Sequence, residues 1–150
     1  MVSLDVLRQS NLLEGLTDEQ LGQVAKIARE ETFDPGSYIF RENDEAKTVY
    51  IVLEGRVAVL IDIGGGHSTM VDTVTRGETF GWSAMVPPHT MTASAKAVER
   101  TRVVAIPGRE MRDFCQHDCH MCYMIMENLA RTISIRLKDT RLQLTSLMHG

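Results

Sequence analysis

A chain of 150 residues is the size of one ordinary domain, long enough to bury a core and too short for two well-built ones. Its 16 Lys and Arg against 20 Asp and Glu give a formal net charge of -4, so there is no overall basic field and direct nucleic-acid binding is not expected. The start, MVSLDVLRQS, lacks a basic segment leading into an apolar run, and no later stretch is apolar enough to span a bilayer, which points to a cytoplasmic protein without membrane contact.

In chain order, Thr17 and Gln20 form a T-x-x-Q capping box, followed by Leu21, Val24, Ala25 and Ala28 at i, i+3, i+4 and i+7. The spacing predicts an amphipathic helix over about residues 18 to 29, within an N-terminal helical region 1–30. From Glu31 to about Ile106 the pattern changes to short β-type runs: ETF, SYIF, VYIVLE, RVAVLID, TMVDTV, TASAKAV and TRVVAI. Turn residues separate them, at Pro35-Gly36, Glu54-Gly55, Gly64-Gly65-Gly66, Arg76-Gly77 and Pro87-Pro88. Residues 31–107 therefore read as an antiparallel sandwich or barrel. The Pro35-Gly36 and Glu54-Gly55 glycines read first as structural turns.

Residues 108–150 return to a helical period, and from roughly Cys119 to Met148 there is neither Gly nor Pro. The stripe Cys115, Cys119, Cys122, Met126, Leu129, Ile133, Leu137, Thr140, Leu144 and Leu147 advances by three or four residues at nearly every step, the seam of a helix that pairs with another. A parallel homodimer through residues 119–148 is expected; the other reading folds the helix back over its own strands.

The order of parts carries a resemblance. N-terminal helices precede F-x-P-G-x-x-I-F at Phe33 to Phe40 and YIVLEGRVAV at Tyr50 to Val59; GETFG at Gly77 to Gly81 and TASAKA at Thr92 to Ala97 follow, then a long terminal helix. This resembles the cyclic nucleotide-binding domain family, the effector domain of catabolite-activator-type regulators and of protein kinase A regulatory subunits. The resemblance covers nearly the whole chain and implies a mainly β fold with flanking helices, built as a double-stranded β-helix or jelly-roll barrel.

In that family a short helical turn after F-G aims backbone N–H groups at the cyclic phosphate. A Glu directly after F-G accepts from the ribose hydroxyl, and an Arg just before the following strand neutralises the phosphate. Here those positions hold Trp82 and Met91. Neither can replace a carboxylate or a cation, so binding of cyclic AMP or cyclic GMP through the usual contacts is not expected. Within reach of the loop, only His89 and Lys96 carry nitrogen that could compensate. What remains is a candidate ligand site of Phe80, Gly81, Trp82, Ser83, Ala84, Met91, Thr92 and Ala93, apolar walls with a few hydroxyls, suited to an unidentified small molecule; alternatively Trp82 and Met91 fill the old pocket and nothing binds.

Cys115, Cys119 and Cys122, with His117 and His120 among them, fall at i, i+4 and i+7 on what reads as one helix face. Burial of small apolar thiols is the simpler account, and metal or redox sensing the rival. No metal or other cofactor is expected. No nucleophile elbow, H-E-x-x-H or phosphate-binding G-x-x-x-x-G-K-[ST] occurs, so the chain does not read as an enzyme. Two readings stay open: a stand-alone regulatory sensor signalling through its C-terminal helix, to a protein partner or within a dimer, and a ligand-free oligomerisation or adaptor module. Because no helix-turn-helix follows the long helix before Gly150, transcriptional control by this polypeptide alone is not expected.

Overall fold

The computed structural model describes residues 2–149. The N-terminal segment forms α1 (Leu4–Arg8) and α2 (Asp18–Ile27). The α2 start follows from the capping box: the Thr17 hydroxyl accepts from the Gln20 amide at 3.2 Å, and the Gln20 side-chain oxygen accepts from the Thr17 amide at 2.9 Å. Two donors at the start of the helix region are thereby satisfied. The helix ends at Ile27 because Ala28 is already extended, at φ -80 and ψ 152, and leads into the first strand.

Eight strands follow: β1 (Arg29–Phe33), β2 (Tyr38–Phe40), β3 (Thr48–Glu54), β4 (Val57–Gly64), β5 (His67–Val74), β6 (Thr79–Phe80), β7 (Ser94–Ala97) and β8 (Thr101–Pro107). They make two four-stranded sheets, ordered β1-β8-β3-β6 and β2-β7-β4-β5. This corrects the expected double-stranded β-helix or jelly-roll barrel: neither sheet closes, and β1 and β6 end one sheet while β2 and β5 end the other. Two of the four edge strands are very short. β6 has two residues and β2 three, with a register shift between Tyr38 and Phe40. Alternation along a sequence marks which face of a strand is buried, but not which edges pair.

β3 and β8 are apolar on both faces and feed two cores. Tyr50, Val52, Val103 and Ala105 meet Val57, Val74 and Ala95 of the second sheet. Their alternates Val49, Ile51, Val104 and Ile106 pack with Leu21 and Val24 of α2 and with the C-terminal helices. Between β3 and β4, Gly55 sits at φ +101, and a Cβ there would lie 2.6 Å from the Arg100 carbonyl oxygen, so this turn requires glycine.

β8 runs into α3 (Gly108–His117) and then α4 (Cys119–His149). The three cysteines do not share one helix, because the chain breaks at Asp118, at φ -140 and ψ 98. Asp118 Oδ1 accepts from the Met121 amide at 3.0 Å and caps α4. That amide, with the Gln20 side chain, holds the Asp118 carboxyl below its ordinary value. A break made by an Asp cap carries no Gly or Pro to announce it. On α4 the core-facing stripe is Met121, Ile125, Asn128, Leu129 and Thr132, while Met126, Ile133, Leu137, Leu144 and Leu147 stay on the surface. From Leu137 to Met148 every side chain is exposed. Among the described residues no helix is long and apolar enough to cross a membrane.

Candidate functional site

The candidate loop begins at Phe80, whose buried ring clusters with Tyr50 (5.0 Å between centroids) and Phe40 (6.1 Å), which also contact each other. This stack anchors one end of the loop to both sheets. Gly81 then turns at φ +74, a left-handed conformation, with the Thr48 carbonyl, Tyr50 and Phe40 close against the space a Cβ would need. Trp82–Met85 form a single 3-10 turn, in which the Ala84 amide donates to the Gly81 carbonyl at 3.2 Å. Arg112 of α3 donates to the Ala84 carbonyl, tying the turn to the C-terminal helices. The return limb is fixed at Met91, whose amide donates to the Asp44 carbonyl and whose carbonyl accepts from the Asn43 amide, both at 2.8 Å.

Of the residues singled out in the sequence, Phe80, Gly81, Trp82, Ser83, Met91, Thr92 and Ala93 line one cavity; Ala84 is buried behind it. Phe40, Val59 and Arg136 complete the wall. The cavity holds only about 70 Å³, against roughly 300 Å³ or more for sites that take drug-sized ligands. Met91 is 4% exposed and part of the apolar core, and the Trp82 indole packs against the same core.

Neither loop cation considered from the sequence faces this cavity. His89 Nδ1 lies 3.0 Å from the Ser83 carbonyl, on the 3-10 turn itself, and Lys96 Nζ sits 5.3 Å from the centre of the Tyr38 ring. The cation present is Arg136, from the middle of α4. Its Nε lies 3.1 Å from Asp72 Oδ2 on β5, its Nη2 donates to the Thr79 carbonyl of β6 at 2.6 Å, and its guanidinium carbon stands 4.6 Å from the Trp82 ring centre. The side chain is 13% exposed. Burial pushes Arg136 down from its ordinary value, while Asp72, Glu78 and Asp139 pull the other way; a guanidinium stays charged in such surroundings. No local signal could have found it. Ile135-Arg136-Leu137 on a helix reads as a solvated cation between two apolar residues.

The cysteine region separates into different environments. Cys119 is exposed on the first turn of α4, while Cys115 on α3 and Cys122 on α4 are half-buried. The Cys115 thiol is pushed up to about 12, first by burial and then by the neighbouring Cys122. Among the described residues, no three His, Cys, Asp or Glu side chains converge to hold a metal ion. With its pKa near 12 rather than 9.0, Cys115 at pH 8 holds roughly a thousandth of the thiolate of an ordinary cysteine. Peptide mapping after timed iodoacetamide treatment at pH 8 should therefore show Cys119 labelled at least about tenfold faster than Cys115, and equal rates would overturn this assignment. The sign for stability follows from the same shift. The folded state holds this proton more tightly, so the contribution of Cys115 is complete below pH 9 and is lost as pH rises toward 12.

Residues 30–118 match the family model described as cyclic nucleotide-binding domain. The chain is 30% identical over 105 residues, 69% of its length, to human cGMP-dependent protein kinase 2, of which that match spans 14%. It is 26% identical over 141 residues to the cyclic AMP receptor protein of Thermus thermophilus, covering 94% of this chain and 63% of the relative. Among solved structures it is similar to a protein of Geobacter metallireducens GS-15 assigned as cyclic nucleotide-binding, with a TM-score of 0.83 and 34% identity over 91% of this chain and 99% of the other.

Proposed function

Because the chain belongs to the cyclic nucleotide-binding domain family, we propose that this non-catalytic regulatory domain works in the cytoplasm without binding cyclic AMP or cyclic GMP by the usual contacts. It acts through α4, paired with a second copy of the chain. The observation that carries this reading is the cavity itself: Trp82, Met91 and Arg136 leave about 70 Å³ where a nucleotide would have to lie. The chemistry agrees with the volume. The ribose-binding carboxylate is an indole and the phosphate-binding Arg is a buried thioether, and removing one partner of a buried charged hydrogen-bonded pair costs roughly 2–5 kcal/mol. Arg136 does not restore that grip as a free cation would, because its charge is already paired with Asp72 and its Nη2 is held by the Thr79 carbonyl.

Of the two readings the sequence leaves open, this geometry favours the ligand-free module over a site adapted to a new ligand. Titration calorimetry with cyclic AMP and cyclic GMP is expected to show no binding tighter than about 1 mM. A micromolar Kd for either nucleotide would overturn the reading.

A further inference from the structure

We propose that Arg136 is a tethered occupant of the pocket: its guanidinium takes the place of a diffusing ligand over Trp82, keeps the cavity small, and fixes where α4 docks on the sheets. This rests on the reading that nucleotide does not bind, and deepens it by naming what sits there instead.

A surface arginine on a helix normally extends its charged head into water, because desolvating a guanidinium is costly unless it is paired. Arg136 does the opposite. Its head is held by an ion pair to β5, a hydrogen bond to the β6 backbone and a face-on approach to the Trp82 ring. A planar cation with donors on its edges suits such a site, since its flat face lies over the ring while its edge N–H groups donate in a fixed fork; an ammonium, a point charge, has neither the face nor the fork. The contacts bring four separate elements together at one side chain: α4, β5, β6 and the 3-10 turn. They also come at a particular place on α4. Thr132 is the last residue whose side chain is buried in the core, Arg136 follows one turn later, and everything beyond is exposed. The direction in which the free half of α4 leaves the domain is therefore set at Arg136, and the pocket and the helix share one fastening.

Trp82 is the only tryptophan in the chain, so its fluorescence reports this contact without a label. The experiment compares the unaltered protein with Arg136→Met, which keeps an unbranched apolar stem and removes the charged head, and with Lys138→Ala, an exposed control on the same helix. Two quantities are read: acrylamide quenching of Trp82, and amide exchange across residues 133–142, with circular dichroism confirming the fold. Arg136→Met is expected to raise the quenching constant about twofold and to speed exchange in that segment about tenfold, while Lys138→Ala changes neither. Should Arg136→Met fail to fold, Asp72→Asn carries the test, because it removes the ion pair and leaves Arg136 in place; the same two changes are expected in smaller measure. If either quantity stays at its unaltered value in the folded variant, the proposal is overturned. The two readings fail separately: nucleotide titration of the unaltered protein tests exclusion, and Trp82 tests the fastening.

Discussion

If α4 pairs as proposed, replacing Leu137 and Leu144 together with Glu is expected to turn that dimer into a monomer at about 10 μM protein, a change of more than ten-thousandfold in Kd. The expectation comes from the part of α4 that the domain does not cover. The helix has 31 residues and so reaches about 46 Å at 1.5 Å per residue, yet its buried contacts end near its middle. Past that point Leu137, Leu144 and Leu147 are 48%, 58% and 81% exposed, and they continue the line of Met126 and Ile133. Steps of three, four and seven residues keep these side chains on one stripe, the pattern that packs against an identical helix in parallel. A stripe of this kind left in water would invite non-specific association, so its regular spacing argues for a defined occupant. A second copy of the chain supplies the same stripe in the same register. Burying one leucine is worth about 1.5–3 kcal/mol, and two per chain place four at a two-fold interface, so their loss removes at least about 6 kcal/mol before the repulsion of facing carboxylates is added. Light scattering after size exclusion reads the result directly. An unaltered protein that is monomeric at about 100 μM, or a double variant that remains dimeric, would refute the pairing.

The parts of this molecule that were legible in the sequence are those set by neighbours along the chain. Thr17 and Gln20 close their box within one turn, and Tyr50 to Leu53 identifies a strand from its own residues. Gly55 marks its turn because no other residue fits there. What was not legible depends on residues far apart. Which strands end a sheet is decided by pairings between residues far apart, and here the barrel implied by resemblance became two open sheets. Asp118 looks like any polar residue in a helix until its carboxylate is seen capping Met121. At the pocket, the loss of charge at Trp82 and Met91 was legible only against the family pattern that the resemblance supplies, which places a Glu and an Arg there. The cation that came to lie over Trp82 was not legible, because the Arg136 to Thr79 contact joins residues 57 apart in the chain, and nothing in the local pattern at Arg136 differs from a solvated helix position.

The same dependence on distant partners makes Asn128 the position where one changed atom should cost most. Its side chain is 2% exposed, and its Nδ2 donates to the Leu12 carbonyl at 2.8 Å and the Glu14 carbonyl at 2.9 Å. One amide thus clamps the segment between α1 and α2 onto α4. Both contacts to the N-terminal segment run through the donor end of the amide. Asn128→Asp keeps the shape and removes the donor. Two carbonyls then lose their hydrogen bond, at about 1–3 kcal/mol each, and an ionised carboxylate would face their negative ends in a buried site. The expected loss is about 2–6 kcal/mol from the carbonyls alone, a large share of the roughly 5–15 kcal/mol that holds a domain together. The pH dependence has a definite sign. Burial raises the folded pKa of the new carboxyl above its unfolded value of about 3.9, so the penalty is smallest below that value, where the protonated acid can donate again, and grows as pH rises through the folded pKa. Asn128→Ala separates the two contributions, since it loses the same hydrogen bonds at every pH. In urea unfolding, Asn128→Asp should be less stable than Asn128→Ala at pH 7, and the gap should narrow at pH 4.5. A gap that is absent at pH 7, or that widens on acidification, would show that this amide does not clamp the N-terminal segment through its donor.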